Sequence, residues 1–198
     1  VWALLRPGTP LPVERYESPF RAGQEPVQLT LGGFRLSPDG SMLVYLGPIP
    51  DAAGGQLWVR RWDDLDAVPV RGTVGTTEAA VSPDGRELAF RQDGELKVLA
   101  LEGGPTRVLA GDVVSVLRWH ADHYISFVTP DGDAVRVPAA GGAVELVSAA
   151  REGEARRYVL QVLPGGDRAL LGVQLLNQRF ELHALDLGTG ESRPLTSA

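Results

Sequence analysis

His120-Ala121-Asp122-His123 places two imidazoles and a carboxylate within four positions, a chemically adequate start for a bound zinc ion. Three-residue spacing, however, aligns ligands on a helix and not across a tight turn, and no third ligand lies nearby in sequence. The segment reads as a polar turn, and His183 stands alone. Asp39, Asp84 and Asp131 recur before glycine, and recurring acids can mark calcium sites. Calcium takes about six to eight oxygens, and each of these turns offers one acid, so capping of turn amides is the expected role. Asp63, Asp64 and Asp66 are denser but read as a solvated loop between strands. Ser37 and Ser82 precede proline in turns, no base can be assigned to either, and Gly-x-Ser-x-Gly does not occur. Gly72-Thr73-Val74-Gly75 lacks the lysine of a phosphate loop, and no kinase catalytic-loop pattern is present. The absence of cysteine removes disulfides, zinc thiolates and thiol catalysis. The expectation is therefore no catalytic residue, no cofactor and no metal in this chain.

Bulk composition narrows the partners. The 198 residues are 43% apolar, enough for a real core, and 24 glycines and 15 prolines suit a chain that reverses direction often. A net charge of −6 and a pI of about 5.1 argue against a nucleic-acid groove, which needs a basic stripe. Lys97 is the only lysine; the arginine bias reads as genomic base composition. Trp58, Trp62, Trp119, Phe34, Tyr45, Phe90, Tyr124 and Phe127 fall mostly on strand candidates and read as packing between sheets.

The elements that would position these residues repeat. Leu36-Ser37-Pro38-Asp39-Gly40 leads into Met42-Leu43-Val44-Tyr45, and Val81-Ser82-Pro83-Asp84-Gly85 leads into Leu88-Ala89-Phe90. Arg118-Trp119-His120-Ala121-Asp122 and Leu163-Pro164-Gly165-Gly166-Asp167 are weaker copies. The spacings between Ser37, Ser82, Trp119 and Leu163 are 45, 37 and 44 residues. Short alternating strands and tight turns at that period predict all-β, four-stranded propeller blades at about 27–73, 74–110, 111–148 and 155–196. The expected strands are 28–36, 42–46, 56–62 and 68–70; 77–81, 87–91, 95–101 and 106–109; 113–118, 124–128, 134–137 and 144–147; 158–162, 169–174, 180–187 and 193–195. Residues 148–156 read as a linker. Residues 1–26 read as a truncated membrane-helix end (Val1-Trp2-Ala3-Leu4-Leu5 before Arg6), a Pro-rich spacer and a lone strand over 13–20. Four blades in an open arc leave apolar end faces, so the expectation is part of a larger ring, or self-association through open blade edges.

The Ser-Pro-Asp-Gly turn, the Gln92-Asp93-Gly94 hairpin and the Leu101-Glu102-Gly103-Gly104 turn together resemble the WD40-like (PD40) repeat of TolB-type propellers. The likeness is sharpest over 81–110, good over 36–73, and one of layout over 118–147 and 162–196. The whole arrangement is similar to the extracytoplasmic propeller that some bacterial serine/threonine kinases carry behind a single membrane helix and a Pro-rich spacer. That resemblance implies a six-bladed ring and a non-catalytic binding, sensor or scaffold module, tethered to a membrane on the periplasmic or extracytoplasmic side. The alternative it leaves open is a propeller accessory to a hydrolase or peptidase whose catalytic domain lies outside the chain. Recognition would use the longest connections, 48–55 and 175–179, with Asp51, Gln56, Asn177 and Gln178 as contact residues for a protein or small-molecule ligand.

Overall fold

The computed structural model describes residues 20–27, 34–49 and 52–195, and these form no helix. Sixteen strands make four antiparallel sheets, each a meander in chain order. The first sheet holds β1 (Phe34–Leu36), β2 (Met42–Ile49), β3 (Ala52–Arg61) and β4 (Val68–Pro69). The second holds β5 (Glu78–Val81), β6 (Glu87–Gln92), β7 (Glu95–Ala100) and β8 (Arg107–Ala110). β9 (Ser115–Trp119), β10 (Tyr124–Val128), β11 (Ala134–Pro138) and β12 (Glu145–Ser148) form the third. β13 (Glu154–Val162), β14 (Arg168–Leu175), β15 (Phe180–Asp186) and β16 (Ser192–Pro194) form the fourth. The all-β, blade-like expectation therefore holds.

Two local differences matter. The sequence predicts a long loop over 48–55, but β2 and β3 run on through it, pairing Pro48 with Gly55 and Ile49 with Ala52 across a bulge. The predicted linker over 148–156 is shorter, because β13 starts at Glu154 and its backbone pairs with Leu175. The truncated anchor and residues 13–19 of the lone strand lie outside the described residues.

The sheets stack because each is apolar on both faces. Strand alternation sends Met42, Val44, Leu57 and Val59 forward, onto Leu88, Phe90 and Leu99 of the second sheet. Ala89, Leu96 and Val98 go forward from the second sheet onto Ile125, Phe127, Val135 and Val137 of the third. The third junction is leaner: Ala134 and Val147 meet Val159, Ala169, Leu171, Val173 and Leu185. Its register explains why. The forward pair Val44–Val59 of the first sheet and Ala89–Val98 of the second become Ser126–Arg136 in the third. A buried ion pair supplements the apolar contact there. Arg157, 1% exposed, donates from Nε to Glu154 Oε2 at 2.5 Å, from Nη2 to Glu154 Oε1, and from Nη1 to the Ser148 and Ser192 hydroxyls. Burial opposes ionisation of Glu154, but the Arg157 hydrogen bonds and the Arg151 N–H outweigh it and hold the carboxyl below its usual value.

The first strands β1, β5, β9 and β13 touch in succession, so the sheets radiate from them as blades. Among the described residues no core cluster joins the first sheet to the fourth, and the ring is partial.

Candidate interaction surface

Most of the side chains that could have done chemistry are hydrogen-bonded within their own turn or sheet. In the first turn the Ser37 hydroxyl donates to Asp39 Oδ1 at 2.5 Å and accepts the Met42 N–H, while Asp39 also accepts the Ser41 N–H and hydroxyl. The second turn repeats it: Ser82 donates to Asp84 at 2.6 Å and accepts the N–H groups of Arg86 and Glu87. Donated hydrogen bonds stabilise the ionised acids. Asp39 is pushed down to about 2, chiefly by Ser37, and Asp84 is lowered, chiefly by Ser82. The serines are turn staples, and Ser82 and Asp84 line one cavity together with His123 of the third sheet.

Asp131 belongs to a different turn, the second hairpin of its sheet. There the Thr129 hydroxyl accepts the Asp133 N–H at 3.3 Å, and the Asp133 carboxylate reaches out of the turn to accept the Ala150 N–H at 2.7 Å. In the third sheet the Ser-Pro-Asp turn is replaced by residues 120–123, where Asp122 accepts the Tyr124 N–H at 3.2 Å. The His123 N–H closes that turn on the His120 carbonyl, and His123 takes φ 64°. His120 Nε2 shares a 2.8 Å hydrogen bond with Ser126 Oγ, and burial pushes its imidazole below the usual range. His183 lies 2.9 Å from Glu181. The three histidines do not converge, and among the described residues no three ligating side chains cluster.

Asp66 pairs with Arg21 at 2.9 Å, whereas Asp63 and Asp64 are exposed in their turn. Thr73 is fully buried in its connection, donating to Val70 O and accepting the Leu57 N–H. Tyr45, Trp58, Phe90 and Phe127 are buried packing residues, while Trp62 is 47% exposed and donates to the Gly40 carbonyl.

Sequence reasoning missed what the arginines do. Arg35 Nε donates to the Ala79 carbonyl of the next sheet at 3.0 Å, and Arg91 Nε to Val113 O at 2.6 Å. Arg107 Nη1 reaches Ala139 O at 3.1 Å. A guanidinium spreads its N–H donors over a rigid fork, so Arg91 and Arg107 each hold a carbonyl across the seam while bonding Thr77 or Glu87 with another nitrogen, a structural use beyond base composition. Along the inner strands Glu78 stands between Arg35 (3.7 Å) and Arg118 (3.9 Å) and accepts the Leu117 N–H. Two cations share one carboxylate in a chain whose net charge is −6. Burial, then the Arg118 charge, lowers Arg35 against the pull of Glu78.

Of the four expected contact residues, two are exposed in a hairpin. Asp51 lies outside the described residues. Gln56 is 7% exposed within β3, with Nε2 turned to the Pro48 carbonyl, so the strand pairing that replaces the predicted loop has removed it from the surface. Asn177 and Gln178 are exposed in the hairpin between β14 and β15. Asn177 Oδ1 accepts the Arg179 N–H, Gln178 Oε1 accepts from Gln174, and Gln178 takes φ 67°. Beside them Leu176 and Phe180 are 67% and 64% exposed. The sequence offered a signal for this pair: two large apolar residues flanking a polar turn where the second sheet has Gln92 and Glu95.

No family profile matches the sequence, and no curated protein is similar to it. Solved structures are. TolB from Acinetobacter baumannii superposes with a TM-score of 0.66 at 17% identity, over 85% of this chain and 43% of that one. An oligogalacturonate lyase in complex with manganese gives 0.62 at 19%, covering 84% and 53%. The β-propeller domain of the trilobed protease from Pyrococcus furiosus, described as having an open velcro topology, gives 0.59 at 14%, covering 84% and 57%. The chain thus spans about half the length of these structures and shares their fold, a TolB-like β-propeller.

Proposed function

We propose that this propeller segment is a non-catalytic recognition module, working as the sensor or scaffold portion of a membrane-anchored serine/threonine kinase on the extracytoplasmic side. The observation that carries the reading is the hairpin of residues 176–180. Its two exposed apolar side chains, Leu176 and Phe180, flank the amides of Asn177 and Gln178 on a rigid two-strand support. Such a patch offers anchors and hydrogen-bonding groups to a protein segment and no reactive group. Ser37, Ser82, Asp39, Asp84, His120 and His183 are engaged in hydrogen bonds within their own turns and sheets. The kinase context rests on the N-terminal sequence, with its apolar start, arginine and prolines.

A puromycin hydrolase structure and the β-propeller domain of the trilobed protease also superpose on this chain. That observation favours, as the second reading, a propeller accessory to a hydrolase.

Two measurements separate the readings. A photo-crosslinker at Gln178 in the parent protein should capture a partner, and Leu176→Asp with Phe180→Asp should abolish capture while leaving the circular-dichroism spectrum unchanged. Capture unaffected by those substitutions would defeat the rim assignment. Turnover of peptide, ester or oligogalacturonate probes by the chain alone, rising with its concentration, would defeat the non-catalytic reading. A coding sequence for a hydrolase beside the propeller, in place of a kinase, would decide for the second reading.

A further inference from the structure

The seam between the first and second sheets differs from the next seam by two side chains on the outermost strand. Val59 pairs with Val68 in the first sheet, and at the same register Val98 pairs with Arg107 in the second. Arg107 bridges its seam, because Nη1 donates to Ala139 O of the third sheet while Nη2 bonds Glu87. Two residues further along β8, Leu109 reaches the turn at Gly141 of the third sheet. The first seam has Val68 and Val70 in these places, and neither is long enough to cross it. Val68 is left 60% exposed. What stays open between the outer half of the first sheet and β7 is a cavity of about 520 Å³. That volume is in the range of sites that hold small ligands.

The floor of this cavity is apolar: Val59 and Leu99 are buried there, and Val70 and Leu101 partly so. Four charged side chains line it as well. Arg61 closes β3 and Asp64 follows in the turn, Arg71 lies just beyond β4, and Glu102 stands in the turn after β7. Among the described residues none of the four side chains makes a hydrogen bond or an ion pair. The mixture of signs restricts the occupant. A simple anion would meet two carboxylates, and a simple cation two guanidiniums, each with like charge close by. A molecule that carries both charges on one small frame meets each sign with its opposite, and its apolar remainder covers the floor.

We propose that this seam binds an amino-acid zwitterion with an apolar side chain, either free or as a short peptide with both termini unblocked. The α-carboxylate pairs with Arg61 and Arg71, whose planar donor forks match it. The α-ammonium pairs with Asp64 and Glu102, and the side chain is buried on the floor of Val59 and Leu99. A ligand held there ties the first sheet to the second. The site lies apart from the hairpin of residues 176–180 and goes beyond the recognition proposed for it, so either can fail alone.

Isothermal titration of the full chain with leucine, dileucine, N-acetylleucine and leucinamide tests this. Leucine or dileucine should bind, and the tighter of the two tells a free amino acid from a peptide. N-acetylleucine lacks the ammonium and leucinamide the carboxylate. Each should bind about tenfold or more weaker than leucine, as loss of one charge-assisted contact requires. Val68→Arg/Val70→Leu gives the first seam the side chains of the second, and should abolish binding with the circular-dichroism spectrum unchanged. Arg61→Gln/Arg71→Gln, at two exposed sites, should weaken leucine about tenfold or more and leave leucinamide as it was. No heat from leucine or dileucine in the millimolar range overturns the proposal. So do blocked analogues that bind as tightly as leucine, binding that survives Val68→Arg/Val70→Leu, and equal losses of leucine and leucinamide in the arginine variant.

Discussion

At the scale of the residue, the recurring Ser-Pro-Asp-Gly motif is an electrostatic device for fixing a corner. Asp39 is open to solvent, yet three hydrogen bonds to its carboxylate from Ser37 and Ser41 bring its pKa down to about 2. The usual value is 3.8, so the folded state binds this proton less readily than the unfolded chain does. The turn's contribution is therefore complete above about pH 4 and fades as pH falls through 2. Carboxyl-carbon NMR should show Asp39 titrating near 2, and Ser37→Ala should raise the midpoint; titration at 3.8 in the wild type would contradict the turn geometry. This chemistry was readable in advance, since Asp beside a turn amide needs only local sequence. The histidine turn was legible for the same reason: at 120–123 the chain reverses, and a reversal separates side chains that helical spacing would bring together.

At the scale of the element, what decides tolerance is how closely backbones approach. Gly72 and Gly132 both lie at positive φ, 80° and 87°. A Cβ at Gly72 would meet nothing within 4 Å, whereas one at Gly132 would stand 2.4 Å from the Ala155 carbonyl oxygen. Gly72→Ala should cost about 1 kcal/mol from backbone conformation alone. Gly132→Ala adds an overlap with main chain that cannot rotate away and should cost about 3 kcal/mol, with loss of the Arg157 N–H bond to Gly132 O. Urea unfolding of the two variants measures the difference. The same junction holds the Arg157–Glu154 pair. Arg157→Met leaves a carboxylate that is 11% exposed without its partner and should destabilise by about 3–5 kcal/mol, and the double variant Arg157→Met/Glu154→Gln should regain much of it. Equal losses for the single and double variants would mean that the pair contributes only packing. Strand existence was legible here, because Asp-Gly and Gly-Gly turns bound alternating apolar runs. Strand ends were not. Proline and glycine at 48, 54 and 55 read as a loop, yet a bulge with Gly54 at φ 110° lets the pairing continue. The cross-sheet arginines were invisible because their acceptors are carbonyls some twenty to forty-five residues away, which no local pattern encodes.

At the scale of the whole molecule, stacking is quasi-linear: among the described residues the core clusters join only neighbouring sheets, so stability is a sum of sheet and junction contributions. The second and third sheets are packed on both faces. Among the described residues the core clusters pack the fourth on one face, where Ala134 and Val147 of the third sheet meet its rear. Its opening therefore exposes less apolar surface than opening any interior sheet, and it should occur without global unfolding. Native-state hydrogen exchange should find β14 and β15 exchanging through a sub-global opening, with a lower free energy and a smaller denaturant dependence than β6 and β10. Leu88→Ala, at a fully buried site between the first and second sheets, should cost about 2–5 kcal/mol globally and leave the free energy of that local opening unchanged. Leu171→Ala, equally buried but on the fourth sheet's rear face, should lower both. Uniform protection across all four sheets, with both substitutions felt everywhere alike, would mean that the arc unfolds as one cooperative unit, and nearest-neighbour stacking would then be the wrong description of what holds it together.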